Sequence, residues 1–166
     1  AMIRLTDEIG FSQGLYLTGE VICESAPPRH EAEHKTHCWR PARFGFAVGE
    51  GEGRASAVTM DIGHPYRRKS NILALNWGES MKTEVLDEIG EDCASVQGMS
   101  AAETHTFRLL VRRNIYELYL DELLVQTFTT MSPPDGKLYI YLQNASCRLN
   151  NLRAARMSIE DPPHAP

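Results

Sequence analysis

Length, composition and charge restrict the classes of protein to which this sequence can belong. The 166 residues match one domain of ordinary size, and a chain of this length buries about two-thirds of the surface that it exposes when unfolded. The formal net charge of -5 at pH 7, without a long Lys/Arg run, argues against a nucleic-acid partner. No apolar run approaches the ~18 residues of a membrane span, so we predict no membrane partner either.

The start of the chain carries no recognisable targeting signal. It lacks the charged region, apolar stretch and small-residue cleavage site of a signal peptide, which favours a cytoplasmic location. The opening pair Ala1-Met2 can be the remnant of a tag, however, so the location of the parent protein stays open.

The sequence pattern predicts an all-β protein. Short segments in which apolar and polar residues alternate are separated by Gly, Pro, Asn and Asp, which favour turns. In chain order the predicted strands are Leu15–Cys23, Arg43–Val48, Ser56–Asp61, Ile72–Trp77, Lys82–Leu86, Thr104–Arg112, Tyr116–Leu120, Leu124–Thr129, Lys137–Leu142 and Ser146–Met157. Ten short strands favour two packed sheets over one open sheet. We therefore predict a single β-sandwich domain over residues 1–160 and a Pro-rich tail over 161–166.

The segment Thr104–Thr130 predicts a three-stranded meander, with turns at Arg113-Asn114 and Asp121-Glu122. In this register one face is apolar and belongs to the core. Its predicted members are Phe107, Leu109, Val111, Tyr116, Leu118, Leu120, Leu123 and Val125. The other face carries Arg108, Leu110, Arg112, Glu117, Tyr119, Leu124 and Gln126, with Glu117 opposite Gln126.

The meander also carries a resemblance to a known family. The run FRLLVRRNIYELYLDELLVQTFT, followed by GKLYIYLQNASCRLNNLRA, resembles the C-terminal β-sandwich of family 32 glycoside hydrolases, the relatives of invertase and levanase. The resemblance implies an antiparallel sandwich of the concanavalin A-like jelly-roll type. It also implies a missing N-terminal catalytic domain as a partner, because none of that family's catalytic motifs is present.

The outer face of the meander is the predicted sugar site. Sugar binding requires planar groups that meet adjacent hydroxyls and an aromatic surface for the apolar side of a ring. The candidate residues are Arg108, Arg112, Glu117, Tyr119 and Gln126, with Trp39 as an additional surface aromatic. A solvated ladder of cross-strand pairs is the alternative interpretation of the same residues.

We predict no metal and no cofactor. A possible zinc-ligand set lies in an irregular loop that begins with Pro and not on one helix face that would align the side chains; it consists of His30, His34, His37 and Cys38. Their spacing therefore does not predict a zinc site. The acidic residues around Glu88 lack the spacing of a calcium loop.

The cysteines give no functional motif. Cys23, Cys38, Cys93 and Cys147 contain no C-x-x-C pair, and three disulfide pairings are possible on paper. Cys23 and Cys147 lie in apolar strand-like segments, where a free cysteine packs as a small hydrophobic residue. We predict that these thiols are reduced and inert.

Three functions remain open at this point. The first is a non-catalytic carbohydrate-binding or accessory module of a glycoside hydrolase, with a fructan or another oligosaccharide as ligand. The second is a catalytic concanavalin-like glycosidase domain, which needs two carboxylates about 5.5 Å apart. Glucanases of this kind commonly show E-x-D-x-x-E on one strand, whereas Glu117–Asp121 gives only E-x-x-x-D, with Asp121 predicted in a turn. The third is a purely structural or protein-interaction module.

Overall fold

The computed structural model describes residues 1–6, 14–25, 42–62, 70–77, 82–89, 99–130 and 134–157. For Thr6, Ser25 and residues 82–89 only the backbone is described. The predicted tail at 161–166 lies outside these ranges, so the domain limits stay a prediction. None of the described residues forms a helix long and apolar enough to cross a membrane.

The described chain is all-β, which confirms the predicted fold class. Its strands are β1 Met2–Thr6, β2 Leu15–Ser25, β3 Arg43–Gly49, β4 Arg54–Asp61, β5 Ser70–Asn76, β6 Lys82–Ile89, β7 Thr104–Arg112, β8 Ile115–Leu120, β9 Leu123–Thr129, β10 Leu138–Gln143 and β11 Ala145–Arg156. Strands β2 to β11 match the ten predicted strands to within a few residues at each end. The first strand, β1, was not predicted.

Two antiparallel sheets form a jelly-roll sandwich. The six-stranded sheet has the order β1-β10-β3-β4-β5-β6, and the five-stranded sheet has the order β11-β2-β7-β8-β9. Strand β1 pairs with β10, and β2 pairs with β11, so the early and late parts of the chain meet in both sheets.

The core lies between the facing sides of the two sheets. Phe44 and Phe46 on β3 meet Phe107 on β7, with ring centroids 6.3 Å and 5.1 Å from that of Phe107. On the meander Leu109, Leu118 and Leu120 are fully buried, as predicted. These apolar rows form the core between the sheets. A second apolar cluster lies on the other side of the six-stranded sheet, and its buried members are Ala47, Ala55, Ala57, Leu73, Leu75 and Tyr141.

The first meander hairpin and the second turn match the prediction. Arg112 pairs with Ile115, and Arg108 pairs with Tyr119. Asp121 and Glu122 have φ angles of 47° and 68°, the left-handed values that a two-residue hairpin turn of the primed type requires.

The third strand of the meander departs from the prediction at a β-bulge. The register shifts between Leu118 and Tyr119, so that Leu118 pairs with Gln126 and Tyr119 with Leu124, which makes Val125 the extra residue. Gln126 is therefore on the inner face, where it is only 4% exposed. The predicted pairing of Glu117 with Gln126 is wrong, and so is the predicted burial of Leu123, which is 49% exposed.

Candidate functional site

The centre of the candidate site is an arginine stacked on a tyrosine, on the outer face of the five-stranded sheet. Antiparallel pairing places Arg108 of β7 directly opposite Tyr119 of β8. The Arg108 guanidinium carbon lies 4.2 Å from the centroid of the Tyr119 ring. A cation over an aromatic face is held by the ring quadrupole, so this contact orients both planar groups.

A carboxylate fixes the other end of the tyrosine. The Tyr119 hydroxyl donates a hydrogen bond to Glu117 Oε2 at 2.9 Å. Both residues point outward because they are two positions apart on β8. The hydrogen bond to the Glu117 carboxylate raises the pKa of Tyr119, and burial raises it further. The phenol therefore remains a protonated donor at neutral pH, and Glu117 keeps acceptor positions for other groups.

A small hollow adjoins this pair. It has a volume of about 30 Å³, and it is lined by Tyr16, Thr18, Thr106, Phe107, Arg108, Tyr119 and Glu122. This volume is enough for one or two water molecules or for a hydroxyl group. Arg108 Nε is buried, and it has no hydrogen-bond partner among the residues that the structure describes. A buried donor without an acceptor is costly unless water or a ligand satisfies it.

The other N–H donors of Arg108 make only a weak contact. Its Nη1 atom lies 3.4 Å from Glu122 Oε2, and the Glu122 side chain is 80% exposed. An ion pair this long and this exposed contributes little to stability. Arg108 therefore retains donors on the outer face of the sheet that can bind another molecule.

Three of the six predicted site residues come together and three do not. Arg108, Glu117 and Tyr119 form the centre described above. Arg112 is exposed on the same face, four residues along β7, which is roughly 13 Å from Arg108 at the usual strand rise. Gln126 lies on the inner face because of the bulge, and Trp39 lies outside the described residues.

The sequence prediction did not include the contribution of β2. Thr18 pairs with Arg108, and Tyr16 pairs with Leu110 on the same face. The polar alternation of β2 marks Tyr16 and Thr18 as outward-facing, but only the long-range pairing of β2 with β7 places them beside Arg108.

The carboxylate pair considered for the catalytic alternative includes a residue that is engaged in a turn. Asp121 Oδ2 lies 2.6 Å from His105 Nδ1, and Asp121 Oδ1 accepts a hydrogen bond from the backbone of Thr106 at 2.9 Å. Burial alone raises the pKa of Asp121, but the hydrogen bonds from His105 and Thr106 outweigh it and leave that pKa below its ordinary value. His105 is buried, so the contacts with His105 and Thr106 hold Asp121 in place as the anchor of the turn.

A second polar cluster lies on the outer face of the six-stranded sheet. Asp61 Oδ1 accepts hydrogen bonds from Arg43 Nε at 3.1 Å and Asn71 Nδ2 at 3.2 Å, and Arg43 Nη1 donates to Gln143 Oε1 at 3.3 Å. The Arg43 and Asp61 side chains are each only 10% exposed. These contacts join β10, β3, β4 and β5, and the burial of the pair indicates a structural role.

No metal site appears in the part of the chain that the structure describes. No three His, Cys, Asp or Glu side chains there are grouped so that they can hold an ion. The segment with His30, His34, His37 and Cys38 lies outside that part.

The arrangement of strands defines the class of this chain as a two-sheet jelly-roll sandwich. No known protein family matches the sequence, and no curated protein matches it either. Solved structures with a similar fold are galectins. A single mutant of congerin II is 14% identical, with a TM-score of 0.54 over 93% of this chain and 98% of that one. Caenorhabditis elegans galectin LEC-6 is 12% identical, with a TM-score of 0.52 over 92% and 89%. Sheep galectin-11, in complex with glycerol, is 11% identical, with a TM-score of 0.52 over 93% and 95%.

These neighbours correct the resemblance drawn from the sequence. The assignment to the C-terminal sandwich of family 32 glycoside hydrolases is wrong, because the similar solved structures named above are galectins. The residues that suggested it form a strand, a tight turn and a second strand, which sandwiches of many families contain. The parent hydrolase and its catalytic domain have no support.

Proposed function

We propose that this chain is a carbohydrate-binding module whose site is the outer face of the five-stranded sheet around Arg108. The observation that carries the proposal is the stacked pair of Arg108 and Tyr119, whose phenol is held by Glu117, beside a small hollow that Arg108 and Tyr119 both line. A sugar hydroxyl in that hollow would accept a hydrogen bond from the Arg108 guanidinium. A charged donor in such a bond contributes about 1.5–3 kcal/mol.

The residues beside Arg108 suit a neutral sugar. Glu117 accepts from hydroxyls, the Tyr119 phenol is already oriented by Glu117, and Tyr16 adds a second aromatic side chain at the rim. Carboxylate and guanidinium groups on one face bind adjacent hydroxyls with directional hydrogen bonds. The combination favours vicinal hydroxyls over an anionic ligand, since the carboxylates of Glu117 and Glu122 both lie close to Arg108 and Tyr119 and would repel an anion.

Arg112 extends the site along β7. Because it lies roughly 13 Å from Arg108, a single ring that contacts Arg108 does not reach it. We therefore expect Arg112 to contact only ligands of several rings. The name galectin denotes a sugar-binding protein, and glycerol in sheep galectin-11 has adjacent hydroxyls as sugars do. Both facts agree with the proposal, but the site geometry is its basis.

The test begins with an array of neutral oligosaccharides, followed by calorimetry with the best sugar. Arg108→Lys keeps the charge but loses the planar fork, and Glu117→Gln loses the charged acceptor, so each should weaken binding by roughly one to two powers of ten. Arg148→Lys on β11 is the matched control and should bind as the parent does. Unchanged affinity in both site variants, with a sugar bound, would refute this site.

A structural or interaction module is the remaining alternative. The oligosaccharide array distinguishes this alternative from the proposal, because a structural or interaction module binds none of the sugars. The hydrolysis of any bound sugar would support the catalytic alternative instead.

A further inference from the structure

Two cysteines face each other across the two strands β2 and β11. Cys147 is directly opposite Cys23 in the antiparallel register, and both side chains lie on the core side of the sheet. Cys23 is fully buried in the core between the sheets. Cys147 packs against the same core but is only partly buried, because β11 is an edge strand. The pair therefore has one protected and one accessible thiol.

The register brings the two residues within range of a disulfide. Directly opposite residues of an antiparallel pair have Cα atoms roughly 4.5–5.5 Å apart, and a disulfide accepts Cα separations of about 4.4–6.8 Å. Their Cβ atoms are usually about 4.5–5.5 Å apart, whereas a disulfide prefers about 3.8 Å. The strands must approach by about 1 Å, so the bond forms under strain, and a strained disulfide is easily reduced.

We propose that Cys23 and Cys147 form an oxidative modification site, at which a hydroperoxide converts the thiol pair into a reversible cross-strand disulfide. The sulfur of Cys147 attacks the terminal peroxide oxygen and the O–O bond breaks, releasing an alcohol or water and leaving a sulfenic acid. The Cys23 thiol then attacks that sulfur, the S–S bond forms, and water leaves with the proton of Cys23. The two thiols are oxidised by two electrons, and the peroxide is reduced by two.

The order of these steps follows from the environment of each sulfur. The hydrogen bond from Cys23 lowers the pKa of Cys147 to about 7, against the opposing effect of burial. The same hydrogen bond, followed by burial, raises the pKa of Cys23. Cys147 is thus the thiolate that a peroxide meets first, and it lies on the accessible edge strand. Cys23 keeps its proton until it attacks the sulfenic acid from inside the core, when that proton passes to the departing hydroxide.

The first experiment treats the full chain with hydrogen peroxide at neutral pH, blocks remaining thiols by alkylation and maps peptides without reduction. We expect a peptide carrying Cys23 linked to one carrying Cys147, and the loss of this link on mild treatment with dithiothreitol. In a Cys38→Ser/Cys93→Ser background the link should persist. Its absence from both proteins would overturn the proposal.

Two controls distinguish a folded site from general thiol chemistry. Cys23→Ala removes the resolving thiol, so Cys147 should accumulate as a sulfenic acid that dimedone traps. If Cys147 of the folded parent, in the Cys38→Ser/Cys93→Ser background, reacts with peroxide no faster than it does in the same chain unfolded by urea, the proposed activation is wrong. In the unfolded parent all cysteines should form mixed links. The same mixture from the folded parent would show that the strand register does not direct the oxidation.

Discussion

Removal of the Arg43 guanidinium is the sharpest test of the buried polar cluster. Arg43→Met leaves the Asp61 carboxylate, whose side chain is 10% exposed, without the partner at 3.1 Å. Breaking a buried ion pair from one side typically costs about 3–5 kcal/mol, because the remaining charge stays desolvated. Asn71 still donates to Asp61 Oδ1 at 3.2 Å. We therefore expect a loss near the lower limit, about 3 kcal/mol in the free energy of unfolding.

The measurement is urea unfolding of four proteins in a double-mutant cycle. The other two variants are Asp61→Leu and the double variant with Arg43→Met. Replacing a whole buried pair by apolar side chains is often neutral, so the double variant should be more stable than the sum of the single losses predicts. Losses below about 0.5 kcal/mol in both single variants, or additivity within about 0.5 kcal/mol, would refute the reasoning.

Two further variants test the inner face and the second turn. Gln126 Oε1 is buried and has no hydrogen-bond partner among the described residues. Gln126→Met should therefore raise the free energy of unfolding by about 1 kcal/mol. An unchanged or lower urea midpoint would show that the amide is satisfied. Asp121, with its pKa below the ordinary value of 3.8, contributes stability that is present above the unfolded-state pKa and is lost as pH falls through the lower folded-state pKa. The parent should accordingly be more stable than Asp121→Asn at pH 7, and urea unfolding should show the difference shrinking below about pH 4; a difference that does not depend on pH would contradict the carboxylate's role.

Local features of the fold were predictable from the sequence, and long-range features were not. Alternation and turn chemistry are sufficient to pair Arg108 with Tyr119, because only a tight turn separates their strands. Gln126 was misplaced because alternation alone does not reveal a bulge, which shifts the faces of one strand by one residue. β1 was missed, since Met2–Thr6 is short and its partner β10 is far along the chain.

The same limit applies to both proposed sites. Half of the candidate sugar site was predicted because Arg108, Glu117 and Tyr119 belong to one meander. Thr18 joins them through the pairing of β2 with β7, which the local pattern does not specify. Cys23 and Cys147 were predicted as unrelated inert thiols for the same reason, because only the register of β2 with β11 brings them together.

The pairing of early with late strands has a consequence for synthesis on the ribosome. β2 ends at residue 25 and β11 begins at residue 145, so 119 residues must be translated between them. At about 5–20 residues per second this takes roughly 6–24 s. During this time the edge of β2 that pairs with β11 in the folded protein is free. Leu17 and Val21, which are buried in the folded protein, lie on this incompletely paired strand. We expect a holding chaperone to bind there until the last strands emerge.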